Sequence, residues 1–232
     1  MEYVKSRIEV ERSRQEQMLW SGITNTLDHP KDIEFCPGEN TNSIDSKTTW
    51  NAISLGPFYE ISNNLTVARS HYEEDLKTEE SDHGLNHPHV AVTLNNLGRV
   101  LKAQGNTKGA QLHFQRALEI DEAVYGPGHA KVAFRASILG DMLHDLGGLR
   151  DARRHYHRAL HIIESLHGPS HLDAAVILCN LGKTAKAQGE RSDASAYFER
   201  ALQVFKEKLG EDHARTQLIQ RQLRELNREK NS

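Results

Sequence analysis

The chain is poor in the residues that mark several common protein classes. Two cysteines, Cys36 and Cys179, stand among 232 residues, and neither belongs to a Cys-x-x-Cys pair. That argues against a disulfide framework or a thiolate zinc site, and a reducing cytoplasm is the expected compartment. No apolar run approaches the ~20 residues needed to cross a bilayer, so no membrane partner is expected. The opening MEYVKSRIEVERSRQEQ lacks the apolar stretch of a secretory leader. There is no Gly-rich phosphate loop and no Gly-x-Ser-x-Gly elbow. No catalytic residue, metal or cofactor is therefore expected, and the chain does not read as an enzyme.

Charge of one sign is also lacking overall, but the net value of −3 hides an asymmetry. Residues 1–44 carry −3, residues 45–86 carry −5 and residues 87–232 carry +5. An excess of +5 over so long a stretch is too mild to imply nucleic acid by itself.

What the chain has in abundance is self-similarity. His87, His129, His171 and His213 are spaced 42 residues apart. Leu97-Gly98 recurs as Leu139-Gly140 and Leu181-Gly182, and Gly105 as Gly147 and Gly189. Ala110, Phe114 and Ala117 become Ala152, Tyr156 and Ala159, then Ala194, Phe198 and Ala201. Arg-Ala-Leu returns at 116–118, 158–160 and 200–202. A fixed period of this kind signals a repeat architecture.

Each unit reads as two helices. Val90, Leu94, Leu97 and Leu101 fall on one helical face within 88–104. Gly105 ends that helix, because glycine enters the left-handed region without steric cost. A second helix over about 107–124 buries Ala110, Phe114, Ala117 and Leu118, and Gly126-Pro127 stops it. Pro88 suits the first helical position, where a missing N–H costs nothing. Gly98, Gly140 and Gly182 lie inside helices, where glycine costs ~1 kcal/mol relative to alanine. Close approach of the partner helix is the expected compensation.

These residues resemble the tetratricopeptide repeat, whose pattern of a large residue, Leu-Gly, an aromatic or aliphatic, then Ala, aromatic and Ala is met by Leu94, Leu97-Gly98, Leu101, Ala110, Phe114 and Ala117. The 42-residue unit, with its His-Pro-x-Val-Ala and Leu-Asn-Asn-Leu-Gly opening, is similar to the kinesin light chain repeat. The resemblance implies an all-α, right-handed superhelical solenoid of antiparallel helix pairs. The expected organisation is an N-terminal helix and linker at 1–44, a degenerate first repeat at 45–86, repeats at 87–128, 129–170 and 171–212, and a C-terminal capping helix and tail at 213–232. In the degenerate repeat Pro57 falls inside the first helix and Asp75 replaces the second alanine.

The resemblance also implies function: a module or adaptor that holds an extended, acidic or aromatic-acidic peptide in the concave groove lined by the first helix of each pair. The groove positions are Asn95, Asn96, Arg99 and Lys102, then Ser137, Asp141 and His144, then Asn180, Lys183 and Lys186, and finally Arg221 on the last helix. Ile138, Cys179, Gln222 and Glu225 occupy equivalent positions. Asparagines can clamp a peptide backbone with donor and acceptor together, and Lys and Arg can pair with carboxylates. Ser137 and Asp141 depart from the Asn-Asn pattern of the neighbouring repeats.

Two other readings stand beside this one. The acidic stretch from Glu73 to Glu80 could act as an internal ligand, making the chain an autoregulatory or sensor segment of a larger protein. The helix at 149–166, with Arg150, Arg153, Arg154 and Arg158, could touch phosphates. Self-association through the degenerate repeat is a further expectation. The histidines recur once per repeat and so cannot meet at one ion; a role in the turns between repeats is expected of them. His83, His87 and His89 lie closer together but lack a carboxylate or thiolate companion.

Overall fold

The computed structural model describes residues 64–228. Among them are eight helices and no strand: α1 Leu65–His83, α2 Pro88–Ala103, α3 Thr107–Tyr125, α4 Ala130–Asp145, α5 Leu149–His167, α6 Leu172–Ala187, α7 Arg191–Leu209 and α8 Ala214–Arg228. The expectations for 1–44 and for the first helix of the degenerate repeat, Pro57 included, lie outside the described residues. By internal contact the chain divides into Met1–Asp75 and Leu76–Ser232. In the first unit the described residues are the opening of α1, where Ala68 and Tyr72 are buried.

In the second unit, α2 packs on α3, α4 on α5 and α6 on α7, while α3 meets α4, α5 meets α6 and α7 meets α8. Each helix thus contacts its neighbours in the chain, which is the local order of a repeat solenoid. The turns follow from the sequence. Gly105, Gly147 and Gly189 adopt φ of +81°, +78° and +78°. Beyond each, the next N–H donates to the carbonyl five residues back, at 2.8 Å for Asn106 to Leu101, 2.8 Å for Gly148 to Leu143 and 2.9 Å for Glu190 to Ala185. That closure satisfies carbonyls that the helix end would otherwise leave open.

The recurring histidines are helix N-caps. Nδ1 of His87, His129, His171 and His213 accepts from the backbone N–H two residues on, at 3.3, 3.1, 3.2 and 3.2 Å. The ring four residues earlier stacks on three of them: His83 on His87 at 4.6 Å, Tyr125 on His129 at 4.7 Å and His167 on His171 at 4.7 Å. The turn role expected of these residues therefore has a definite form.

The mid-helix glycines are explained by the aromatic of the paired helix. A Cβ on Gly98 would stand 2.7 Å from the Phe114 ring, one on Gly140 2.7 Å from Tyr156 and one on Gly182 2.6 Å from Phe198. Each aromatic ring is seated where a side chain would otherwise be. Within a repeat the core is apolar, as where Val90, Ala91 and Leu94 of α2 meet Ala117 and Ile120 of α3. One joint is different: Arg135 Nε of α4 donates to Asp121 Oδ2 of α3 at 2.8 Å, both residues being almost fully buried.

A second periodic device links successive second helices. Arg116, Arg158 and Arg200, the arginines of the Arg-Ala-Leu triplets, pair with Glu80, Glu122 and Glu164 at 2.7, 2.6 and 2.6 Å. These pairs are partly exposed and contribute about 0.2–1 kcal/mol each.

Candidate functional site

The first helices α2, α4, α6 and α8 carry the polar positions singled out above. Residues three apart are neighbours on a helix surface, so Arg99 lies beside both Asn96 and Lys102, and Lys183 beside both Asn180 and Lys186. Polar contacts join this face across helices. Lys102 of α2 pairs with Asp145 of α4 at 2.5 Å. Asn180 Nδ2 of α6 donates to Asp141 Oδ1 of α4 at 2.9 Å. Lys186 of α6 lies 3.5 Å from Glu225 of α8.

Asp141 is the centre of this arrangement. Its Oδ1 also accepts from the Tyr156 hydroxyl of α5 at 2.6 Å, so one oxygen ties three helices together. Burial raises the Asp141 carboxyl above the usual range; the Tyr156 hydrogen bond and the Lys102 and Lys183 charges oppose that rise without cancelling it. The Tyr156 hydroxyl is in turn pushed up by burial and by the adjacent carboxylate.

The remaining positions differ in access. Asn96, Arg99, Ser137 and His144 are half-buried, whereas Lys183 and Arg221 are exposed. His144 Nδ1 lies 3.8 Å from Asp145, and its Nε2 is buried without a hydrogen-bond partner. Asn95 departs from expectation: it is 4% exposed, and its Oδ1 is buried without a partner. Cys179, at the equivalent place, is 7% exposed, and burial pushes its thiol up to about 12. Both side chains are buried, an outcome that helical periodicity within one segment does not reveal.

The face is less basic than its lysines suggest, because Lys102 and Lys186 meet carboxylates of the next helix. Glu225 stands among the groove positions expected from the sequence, whereas Asp145 does not, although it follows His144 directly. The side chains of Lys183 and Arg221 are in no ion pair or hydrogen bond among the described residues, although the Lys183 charge acts on Asp141.

The acidic stretch from Glu73 to Glu80 belongs to helix α1 rather than to an extended segment. Glu73 pairs with Arg69 at 2.7 Å and Glu80 with Arg116. The basic helix α5 is likewise largely engaged. Arg153 holds Glu190, and Asp193 at 2.9 Å, while Arg158 holds Glu122 and Arg154 lies 3.4 Å from Asp151. His155 and His157 on the same helix are shifted down, first by burial and then by neighbouring arginines. The rings of His83, His87 and His89 touch, yet no group of three or more metal-ligating side chains suited to an ion exists among the described residues. No helix among them is long and apolar enough to cross a membrane.

These helix pairs and their shared first-helix face define an all-α repeat scaffold of the kind that binds proteins. Comparison with known proteins identifies the class: the tetratricopeptide repeat family model matches residues 48–123 and 132–207, and the chain belongs to that family. Among solved structures it is similar to BtubC (BKLC) from P. vanneervenii, with 27% identity, a TM-score of 0.61 and coverage of 65% of this chain and 60% of that one. It is also similar to a putative kinesin light chain from Podosopora anserina with nearly identical TPR-like repeats, at 16% identity and a TM-score of 0.66, covering 75% of this chain and 82% of that one. The Q17M form of that protein gives a TM-score of 0.67 at the same identity and coverage. The chain therefore spans about 60% of the length of BtubC. No curated protein sequence matches it significantly. Tetratricopeptide repeats as a class are protein–protein interaction modules.

Proposed function

We propose that this chain is a non-catalytic adaptor that holds an extended peptide with acidic character along the groove formed by α2, α4, α6 and α8. The observation that carries the reading is the continuous polar face across these helices, on which Lys183 and Arg221 are exposed and make no ion pair among the described residues. Asn96 and Asn180 stand beside them, able to bond a peptide backbone in both directions. Carboxylates from a partner would meet Lys183 and Arg221 directly, and could compete with Asp145 and Glu225 for Lys102 and Lys186. Asn95, being buried, acts through packing rather than contact. The binding residues are then Asn96, Arg99, Lys102, Ser137, Asp141, His144, Asn180, Lys183, Lys186 and Arg221. A cytoplasmic setting suits such an adaptor.

The test compares partners captured from lysate by the wild type and by Lys183→Glu/Lys186→Glu. Circular dichroism checks that helix content is unchanged. Partners retained by the wild type and lost from the variant are expected. Equal retention by both would remove the groove from consideration and turn attention to the second-helix face.

A further inference from the structure

The starts of the first helices share an unusual charge pattern. The backbone N–H that each capping ring accepts belongs to His89 in α2, Lys131 in α4, Asp173 in α6 and Arg215 in α8. A helix N-terminus is the positive end of its dipole, where acidic side chains are the stabilising ones. Yet the first turns of α2, α4 and α8 hold no acidic residue, and that of α6 holds Asp173. Imidazole Nδ1 accepts a hydrogen bond only while it is unprotonated, with the ring's proton on Nε2. A proton on Nδ1 turns the acceptor into a donor aimed at another N–H. It also places a cation at the positive end of the helix, beside a basic residue in three of the four.

The surroundings of each ring grade the effect. His87 meets His83 of α1 at 4.6 Å and His89 of α2 at 4.8 Å, so a second proton in this cluster meets the first. Arg116 of α3, paired with Glu80 of α1, donates to the Leu85 carbonyl of the same turn at 3.3 Å. His89 is held below its ordinary value, first by burial and then by the charges of His87, His83 and Lys131 of α4. A lowered value means that its contribution to stability is complete above ~6.5 and is lost as pH falls through the folded value. His129 stacks on Tyr125, whose hydroxyl accepts from Lys131 at 3.0 Å. Beside His213 stand Arg215 and Lys206 of α7, the latter paired with Glu211 at 3.0 Å. His171 differs: its Nδ1 lies 3.5 Å from the Asp173 carboxylate, which can take a proton-bearing Nδ1, although His167 stacks on the other side.

We infer that the joints between repeats form an acid-sensitive device: protonation of His87, His129 and His213 in mildly acidic solution releases the starts of α2, α4 and α8, while Asp173 steadies α6. The four rings sit at equivalent turns and titrate near the same pH, since imidazole changes charge between about pH 5 and 8. The joints therefore loosen over one narrow interval rather than one after another. The first helices carry the polar face described above, so the device bears on that face whatever it binds.

The test is thermal unfolding of the full chain by circular dichroism at about pH 7.5 and 5.5, an interval that spans imidazole titration. It compares the wild type, His87→Asn/His129→Asn/His213→Asn and Asp173→Asn. Asparagine is among the best N-caps and does not titrate in this range. A cap shifts the midpoint of a domain this size by about 2–4 °C, so three released caps amount to roughly 6–12 °C. The wild type is expected to lose that much on acidification, and the triple variant less than half of it. Asp173→Asn should deepen the acid shift by about 2–4 °C, because His171 then loses its carboxylate. If the triple variant does not fold at the higher pH, His129→Asn alone should remove about a third of the shift. An acid shift equal in the wild type and the asparagine variants would place the sensitivity in other histidines, such as His155 and His157, and overturn the inference. No acid shift in the wild type would overturn it outright. An unchanged shift in Asp173→Asn would remove the exception made for α6.

Discussion

Asp121 and Arg135 occupy a joint whose counterpart one repeat later is made by Ile163 and Ile177. A buried ion pair is costly to desolvate, and its removal has opposite effects depending on whether one or both partners go. Asp121→Ala is expected to destabilise by about 3–5 kcal/mol, since Arg135 is left charged in the core. Asp121→Ile/Arg135→Ile, which copies the next joint, is expected to be neutral or more stable by up to about 4 kcal/mol. Urea midpoints of the two variants check this, and equal losses in both would show that the pair is worth more than the packing that replaces it. Cys179 offers a second residue-scale test. Burial pushes its thiol up to about 12, and the thiolate is the reactive form. Iodoacetamide should therefore label Cys179 at neutral pH at least about tenfold more slowly in the folded chain than in urea, read by peptide mass spectrometry.

At the scale of an element, the capping histidines set where the first helices begin. The neutral Nδ1 lone pair does the work that Ser, Thr, Asn or Asp does at most N-termini. His129→Ala should cost about 1 kcal/mol, and more where the stack with Tyr125 is also lost. His129→Asn restores an acceptor without the ring, so it separates cap from stack: partial recovery of the thermal midpoint is expected. Full recovery would mean that the Tyr125 stack contributes nothing. Much of this was legible beforehand. The 42-residue recurrence of histidine, glycine and Arg-Ala-Leu marked the turns, the helix ends and the close approach at Gly98, Gly140 and Gly182. The use of Nδ1 as a cap was not, because a histidine before a helix is an uncommon cap, and its role depends on ring orientation.

Across the whole molecule, the first-helix face is held in shape by charges that also shape what it can bind. Asp141 is acidic at the centre of a surface proposed to receive acid. Its folded pKa is raised, so its contribution to stability is fully present below the ordinary carboxylate value of ~3.9 and is lost as pH rises through the folded value. Both of its hydrogen bonds use Oδ1, an acceptor that asparagine keeps. Asp141→Asn should therefore be as stable as the wild type or more so at pH 7, with any gain vanishing by pH 3. Affinity for an acidic peptide should rise about two- to fivefold. Denaturant midpoints at the two pH values and anisotropy titrations test both halves. A marked loss of stability at neutral pH would show that the ionised carboxylate favours the fold.

The sequence by itself determined the family, the period and the helix pairs, because each repeat contacts only its neighbours and so writes the same packing demands at the same spacing. It also located the face where polar residues gather. Only the tertiary structure decided which of those residues can meet a partner. Asn95 and Cys179 turned inward; Lys102 and Lys186 found carboxylates on the next helix; Asp141 joined Asn180 and Tyr156. The contacts of Lys102, Lys186 and Asn180 join residues about 40 positions apart, set by how one repeat is rotated against the next. Helical periodicity fixes the direction of a side chain about its own axis, but not what the adjoining helix places in front of it.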